Sequence, residues 1–171
     1  HKVGDYEKTL NLSERAYSLC CKILGEEHPR TLGSLSNLAS SYHDVGNYEK
    51  ALELNERVYS LRCKVSGEEH PNTLQSLSNL AVLYRDVGNY KKALNLNKQA
   101  YVLSCEVLGE EHPNSLVLLK NWAVDYVYVK NIKIARLLLG KLCQIQSKVL
   151  GHDHPDTLET KQIIDLLKKR S

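Results

Sequence analysis

Histidine and cysteine are the side chains here best suited to chemistry, and their spacing decides what they can do. His28, His70, His112 and His154 recur every 42 residues, each directly before a proline. A metal ion needs two to four ligands converging at about 2.0–2.1 Å. Residues strung along a repeating chain at one fixed interval do not converge, so these histidines read as parts of linkers. His152 lies close to His154 but has no evident third ligand. The cysteines are Cys20, Cys21, Cys63, Cys105 and Cys143, an odd number with no Cys-x-x-Cys pair. Reduced thiols used as small apolar groups are the simplest reading, and they suit a cytoplasmic chain. The sequence also lacks a glycine-rich phosphate loop, a nucleophile elbow and a His-Glu-x-x-His motif. A non-enzyme is therefore expected, with no cofactor and no catalytic or metal residue.

The elements that position these residues come from one repeating unit. Gly-Glu-Glu-His-Pro begins at Gly25, Gly67 and Gly109, and Gly151-His-Asp-His-Pro follows at the same step. Residues 25–66 and 67–108 agree at 28 of 42 positions, which makes the middle of the chain a duplication. Gly4-Asp-Tyr6, Gly46-Asn-Tyr48, Gly88-Asn-Tyr90 and a degenerate Lys130-Asn-Ile132 mark a second point in each unit. Proline suits the first turn of a helix, and the residue before it is pushed out of the α region. Glycine suits the left-handed position just past a helix end. Each unit thus predicts two helices, the first starting at the proline and the second at the Tyr48-type position.

The apolar pattern agrees. Leu32, Leu35, Leu38, Ala39, Tyr42 and Val45 form one stripe, and Tyr48, Ala51, Leu52, Leu54, Val58, Leu61 and Val65 another. Ala39, Ala81 and Ala123 recur in the first helices, and Ala51, Ala93 and Ala135 in the second. A small residue fixed in both partners lets two helices cross closely; anything larger costs about 1–3 kcal/mol by overpacking. One helix pair cannot bury its own stripe, so neighbours must stack. The expected order is an orphan second helix (about 5–24), repeats at 25–66, 67–108 and 109–150, and a closing helix within 151–171, all as one array. Tyr6 and Leu10 on the orphan helix would lack their natural cover. With no methionine present, the chain is expected to be a fragment.

Bulk properties narrow the partners. Net charge is +3, and the one dense basic run is Lys168-Lys169-Arg170 at the end, so nucleic acid is not an expected partner. No stretch approaches the ~18 apolar residues of a membrane span, and no signal peptide is visible.

Leu35-x-x-Leu38-Ala39-x-x-Tyr42-x-x-x-Gly46-x-Tyr48-x-x-Ala51, repeated from Leu77 to Ala93, resembles the tetratricopeptide signature. The 42-residue period, the Leu-Gly-x-x-His-Pro linker and the Asn-Leu-Ala triplet are similar to the repeats of kinesin light chains. Nephrocystin-3-like proteins and the repeat tails of signalling NTPases share this variant. The resemblance implies an all-α, right-handed α-solenoid of antiparallel helix pairs. It further implies a non-catalytic scaffold whose first helices line a concave groove for a peptide or partner segment.

On that analogy the groove residues are Ser36, Asn37 and Ser40, then Gln75, Ser78, Asn79, Val82 and Arg85, then Lys120, Asn121, Val124 and Tyr128. Asn37, Asn79 and Asn121 form a ladder at one repeat position. Asparagine is a poor helix-interior residue, but its amide carries donors and an acceptor that match peptide backbone. Helices ~8–10 Å apart and a ligand rising ~3.3 Å per residue give about one asparagine per three ligand residues. The competing readings are a bond to a neighbouring helix or simple copying of an ancestral unit. Gly33, Gln75 and Val117 stand where lysines are common in kinesin light chains, and Arg85 and Lys120 face Asp44 and Asp86, so a strongly acidic groove ligand is not expected. Other possible roles are a structural spacer, an end-to-end self-associating platform, or the sensor region of a larger signalling NTPase.

Overall fold

The computed structural model describes residues 2–169, with side chains from Tyr6 to Lys169. Among them run eight helices: α1 (Lys2–Leu24), α2 (Pro29–Asp44), α3 (Tyr48–Ser66), α4 (Pro71–Asp86), α5 (Tyr90–Leu108), α6 (Pro113–Tyr128), α7 (Ile132–Val149) and α8 (Pro155–Lys168). Each helix begins at the proline or just after the asparagine of the second marker, Ile132 taking the tyrosine's place in α7. The exception is α1, which already includes Gly4 and starts at Lys2 instead of about residue 5. No helix among the described residues is long and apolar enough to cross a membrane. Two compact units divide the chain, His1–Gly88 and Asn89–Ser171.

In the first unit, Leu35, Leu38 and Ala39 of α2 pack with Leu54 and Val58 of α3. Leu10 and Tyr17 of α1 join this cluster, so Leu10 has the cover the sequence seemed to deny it. Tyr6 stays exposed. In the second unit, buried Ala93, Ala100 and Tyr101 of α5, Leu116, Leu119 and Ala123 of α6, and Ala135, Leu139 and Leu142 of α7 supply the interior. All six recurring alanines have no exposed surface. Buried completely, they leave no room for a longer side chain at the crossings.

The histidines cap helices. Nδ1 of His28, His70, His112 and His154 accepts a hydrogen bond from the backbone N–H of Arg30, Asn72, Asn114 and Asp156 at 3.1–3.2 Å. That N–H is one of the four a helix start leaves without an internal partner. The second helices use asparagine: Oδ1 of Asn47, Asn89 and Asn131 accepts from Lys50, Lys92 and Ile134 N–H at 3.1–3.3 Å.

The glutamates before His28 and His112 reach to the following second helix. Glu26 pairs with Arg57 at 2.8 Å and Glu27 with Lys64 in the first unit. Glu110 pairs with Lys141 at 2.8 Å and Glu111 with Lys148 in the second. The turn glycines Gly46 and Gly88 take φ of 81° and 84°, and Lys130 takes their place in the third turn with φ 59°. An L-residue held in this left-handed region costs roughly 1–2 kcal/mol.

Candidate functional site

The expected groove positions fall on the first helices α2, α4 and α6, and their surroundings differ. Asn37 is exposed, and its side chain bonds to no described residue. Asn79 is half-buried, and its Oδ1 accepts from Gln75 Nε2 at 3.0 Å, one turn back on the same helix. Neither amide is therefore consumed by a neighbouring helix. Asn121 is half-buried and does have a partner of its own. Thus equal sequence positions do not give equal bonding, although both first-unit amides keep their N–H groups available.

In the first unit, Ser40, Asn79 and Val82 share a depression of about 230 Å³ with Ala39, His43, Asp44, Leu83 and buried Asn55. Its rim is charged: His43 Nε2 lies 2.9 Å from Asp86 Oδ2, and His43 Nδ1 lies 3.6 Å from Asp44 Oδ1. Ser36 is half-buried, and its carbonyl accepts the Ser40 hydroxyl at 3.2 Å. Gln75 is exposed, and half-buried Arg85 holds Nε 3.8 Å from Asp86.

Ser78 departs from the expectation. It is 1% exposed, too deep for a partner to touch. The stripe on α4 is wider than the Leu-x-x-Leu-Ala pattern suggests, since Ser76, Leu77 and Ser78 are all buried.

In the second unit, Lys120 is engaged: its Nζ donates to Glu159 of α8 at 2.7 Å. Beside it lies a depression of about 230 Å³ bounded by Leu116, Val117, Gln146, Val149 and Leu150, with Glu111 and Asp156 at its edge. Val124 is half-buried, and exposed Tyr128 stacks on Tyr90 with ring centres 5.8 Å apart. Val117, His43 and Asp44, first-helix positions off the apolar stripe that the family analogy also turns toward the groove, border these depressions. Their signal was their place off the apolar stripe.

Titratable groups are perturbed mainly on the second helices. Burial, helped by a hydrogen bond with Cys21, pushes the Tyr17 hydroxyl up to about 12. Burial, helped by Cys63, does the same at Tyr59. Hydrogen bonds with Glu110 and then Tyr101 hold the Lys141 ammonium above its usual range. These are properties of packing and surface pairing away from the first-helix face. Among the described residues no group of three or more His, Cys, Asp or Glu side chains is placed to hold a metal ion.

Known proteins share this architecture. Sequence models of the tetratricopeptide repeat match residues 1–64 and 32–106, and a further tetratricopeptide model matches 119–156. None of the curated proteins matches the chain in sequence. Among solved structures, two forms of the nearly identical TPR-like repeats of a Podosopora anserina protein assigned as a kinesin light chain are similar. They give TM-scores of 0.83 and 0.81 at 30% identity, covering 97% of this chain and 78% and 79% of theirs. BtubC (BKLC) from P. vanneervenii gives a TM-score of 0.83 at 22% identity, over 98% of this chain and 67% of its own; that likeness concerns the fold.

Proposed function

The chain belongs to the tetratricopeptide repeat family, and on that premise we propose that it is a non-catalytic interaction scaffold holding an extended peptide along its first helices. The observation that carries this reading is the depression between α2 and α4, where Ser40, Asn79 and Val82 meet. The amides of Asn37 and Asn79 supply donors for ligand backbone, as does Asn121 in the second unit. Val82 and Val124 supply apolar contact, and the His43–Asp86 and Lys120–Glu159 pairs leave little net charge to demand an acidic ligand. A cargo-adaptor role like that of kinesin light chains follows the same reading.

The test begins with peptides selected from a random display library against the intact chain. Asn79→Ala with Asn121→Ala removes two amides worth about 0.5–1.5 kcal/mol each, so affinity falls roughly tenfold. Far-UV circular dichroism stays unchanged. Unaltered affinity in the double variant refutes the reading.

Self-association is favoured by one observation. Leu12, Leu19 and Ile23 of α1 are exposed, whereas Leu54 of α3, which matches Leu12 in the repeat, is 6% exposed. The closing helix does not fit that face, because Lys161, Asp165 and Lys168 stand where α2 carries Leu35, Ala39 and Tyr42. Association would then join α1 to α1 in a two-fold contact. Light scattering over a concentration series decides: a strict monomer eliminates it, and a dimer lost on Leu19→Glu supports it.

A further inference from the structure

The start of α7 departs from the repeat at three positions, Lys130, Arg136 and Leu137. Lys130 replaces Gly46 and Gly88 while keeping their left-handed backbone. Lys133 matches Lys91 of α5, where α3 has Glu49. Arg136 stands where α3 and α5 have Leu52 and Leu94. Leu137 stands where they have Glu53 and Asn95. These three changes add two cations and an exposed apolar group where the other second helices carry glycine, leucine and a polar or acidic residue.

Leu137 is 73% exposed. It borders a shallow depression with Ile132, Lys133, Arg136 and Ile164 of α8. Lys130, Lys133 and Arg136 make no ion pair with any described residue. The first turn of α7 holds no acidic residue, and Asp165, on α8 beside Ile164, is already paired with Lys168 at 2.8 Å. Two uncompensated cations, Lys133 and Arg136, thus flank apolar atoms that water must cover, and Lys130 stands in the turn that leads into the same helix.

We propose that this edge docks an acidic, leucine-bearing segment of a partner protein. Its carboxylates meet Lys130, Lys133 and Arg136, and an apolar side chain enters the depression over Leu137 and Ile164. Charge complementarity selects the acidic partner. Concavity selects a peptide over a bilayer, since a flat membrane surface does not enter a depression. Three cations also fall short of the roughly 4–8 basic residues that mark recognition of anionic lipid. The surface is separate from the asparagine ladder, so it stands or falls independently of the groove.

The experiment compares the intact chain with a variant combining Lys130→Gly, Lys133→Glu, Arg136→Leu and Leu137→Asn. These are residues the chain already uses at the matching repeat positions, so the variant keeps its fold, which thermal melting verifies. The probe is a short fluorescein-labelled peptide with leucine at helical spacing and glutamate elsewhere. Parallel arms use the same peptide with lysine for glutamate, or serine for leucine, and vesicles of mixed phosphatidylcholine and phosphatidylserine. The intact chain binds the glutamate–leucine peptide, binding weakens as salt rises, and the variant loses about tenfold, the sum of three modest surface pairs. The proposal is overturned if the intact chain does not bind that peptide, if the variant binds it equally well, if the lysine or serine peptide competes equally, or if vesicles bind and the peptide does not.

Discussion

Positions 28 residues apart join a second helix to the first helix that follows it, and the chain fills this pair in four ways. Ser13 and Ser41 share a hydrogen bond at 2.8 Å. Asn55 matches Leu83. Asn97 Nδ2 donates to Asp125 Oδ2 at 2.6 Å, with the two residues 0% and 1% exposed. Leu139 matches Leu167, both buried. The buried amide–carboxyl pair is thus one solution to a position that leucine also fills. Replacing Asn97 with Leu takes this donor from a carboxyl shut away from water, at a cost of about 1–3 kcal/mol; Asp125→Leu costs a similar amount by removing the amide's acceptor. Making both changes recreates the Leu139–Leu167 solution, and the double variant returns to within about 1 kcal/mol of the parent. For a chain of this size each kcal/mol moves the melting midpoint by roughly 2–4 °C. The assay is a thermal or urea double-mutant cycle with a coupling energy of about 1–3 kcal/mol. Strictly additive single effects refute the argument that the two residues matter chiefly to one another.

Two further outcomes are expected. His70→Ala removes the acceptor for Asn72 N–H and costs about 0.5–1 kcal/mol, the low end because water reaches this cap, whereas His70→Asn restores an acceptor and costs less; equal melting points for the two variants refute a capping role. Tyr17 and Tyr59, raised from 10.0 to about 12, ionise later than exposed tyrosines in an absorbance titration. Between pH 10 and 12 the unfolded chain has lost these protons and the folded chain has kept them, so their support is intact below pH 10 and fades as pH climbs toward 12; a single tyrosine transition near pH 10 in the folded protein contradicts this.

Proline and glycine made the helix ends legible, because each fixes a backbone conformation by its own covalent structure. The alanines were legible too, because only a small side chain tolerates a close crossing at every repeat. Histidine capping was not: imidazole is outside the usual set of capping side chains, and only its place directly before proline pointed to it. Ser78 was misplaced because periodicity gives the centre of an apolar stripe but not its width, which neighbouring helices set. Asn37, Asn79 and Asn121 looked equivalent in sequence, yet Gln75 beside Asn79 has Gly33 as its counterpart near Asn37, and that one change alters the bonding. Lys130 read as a degenerate marker, whereas its backbone retains the glycine geometry and its side chain is the novelty.

The unlike fillings of the 28-residue pairs bear on how so repetitive a chain finds its order. Neighbouring units agree closely enough that helices could assemble one unit out of step, a familiar hazard of tandem sequences. Slipping by 42 residues in one direction would set the Asp125 carboxyl against Leu139, which has no amide to meet it. Unsatisfied polar atoms would then lie in a dry interior, so such mispaired intermediates reopen before they consolidate. The Asp125 seam in effect carries its own password, written in two side chains.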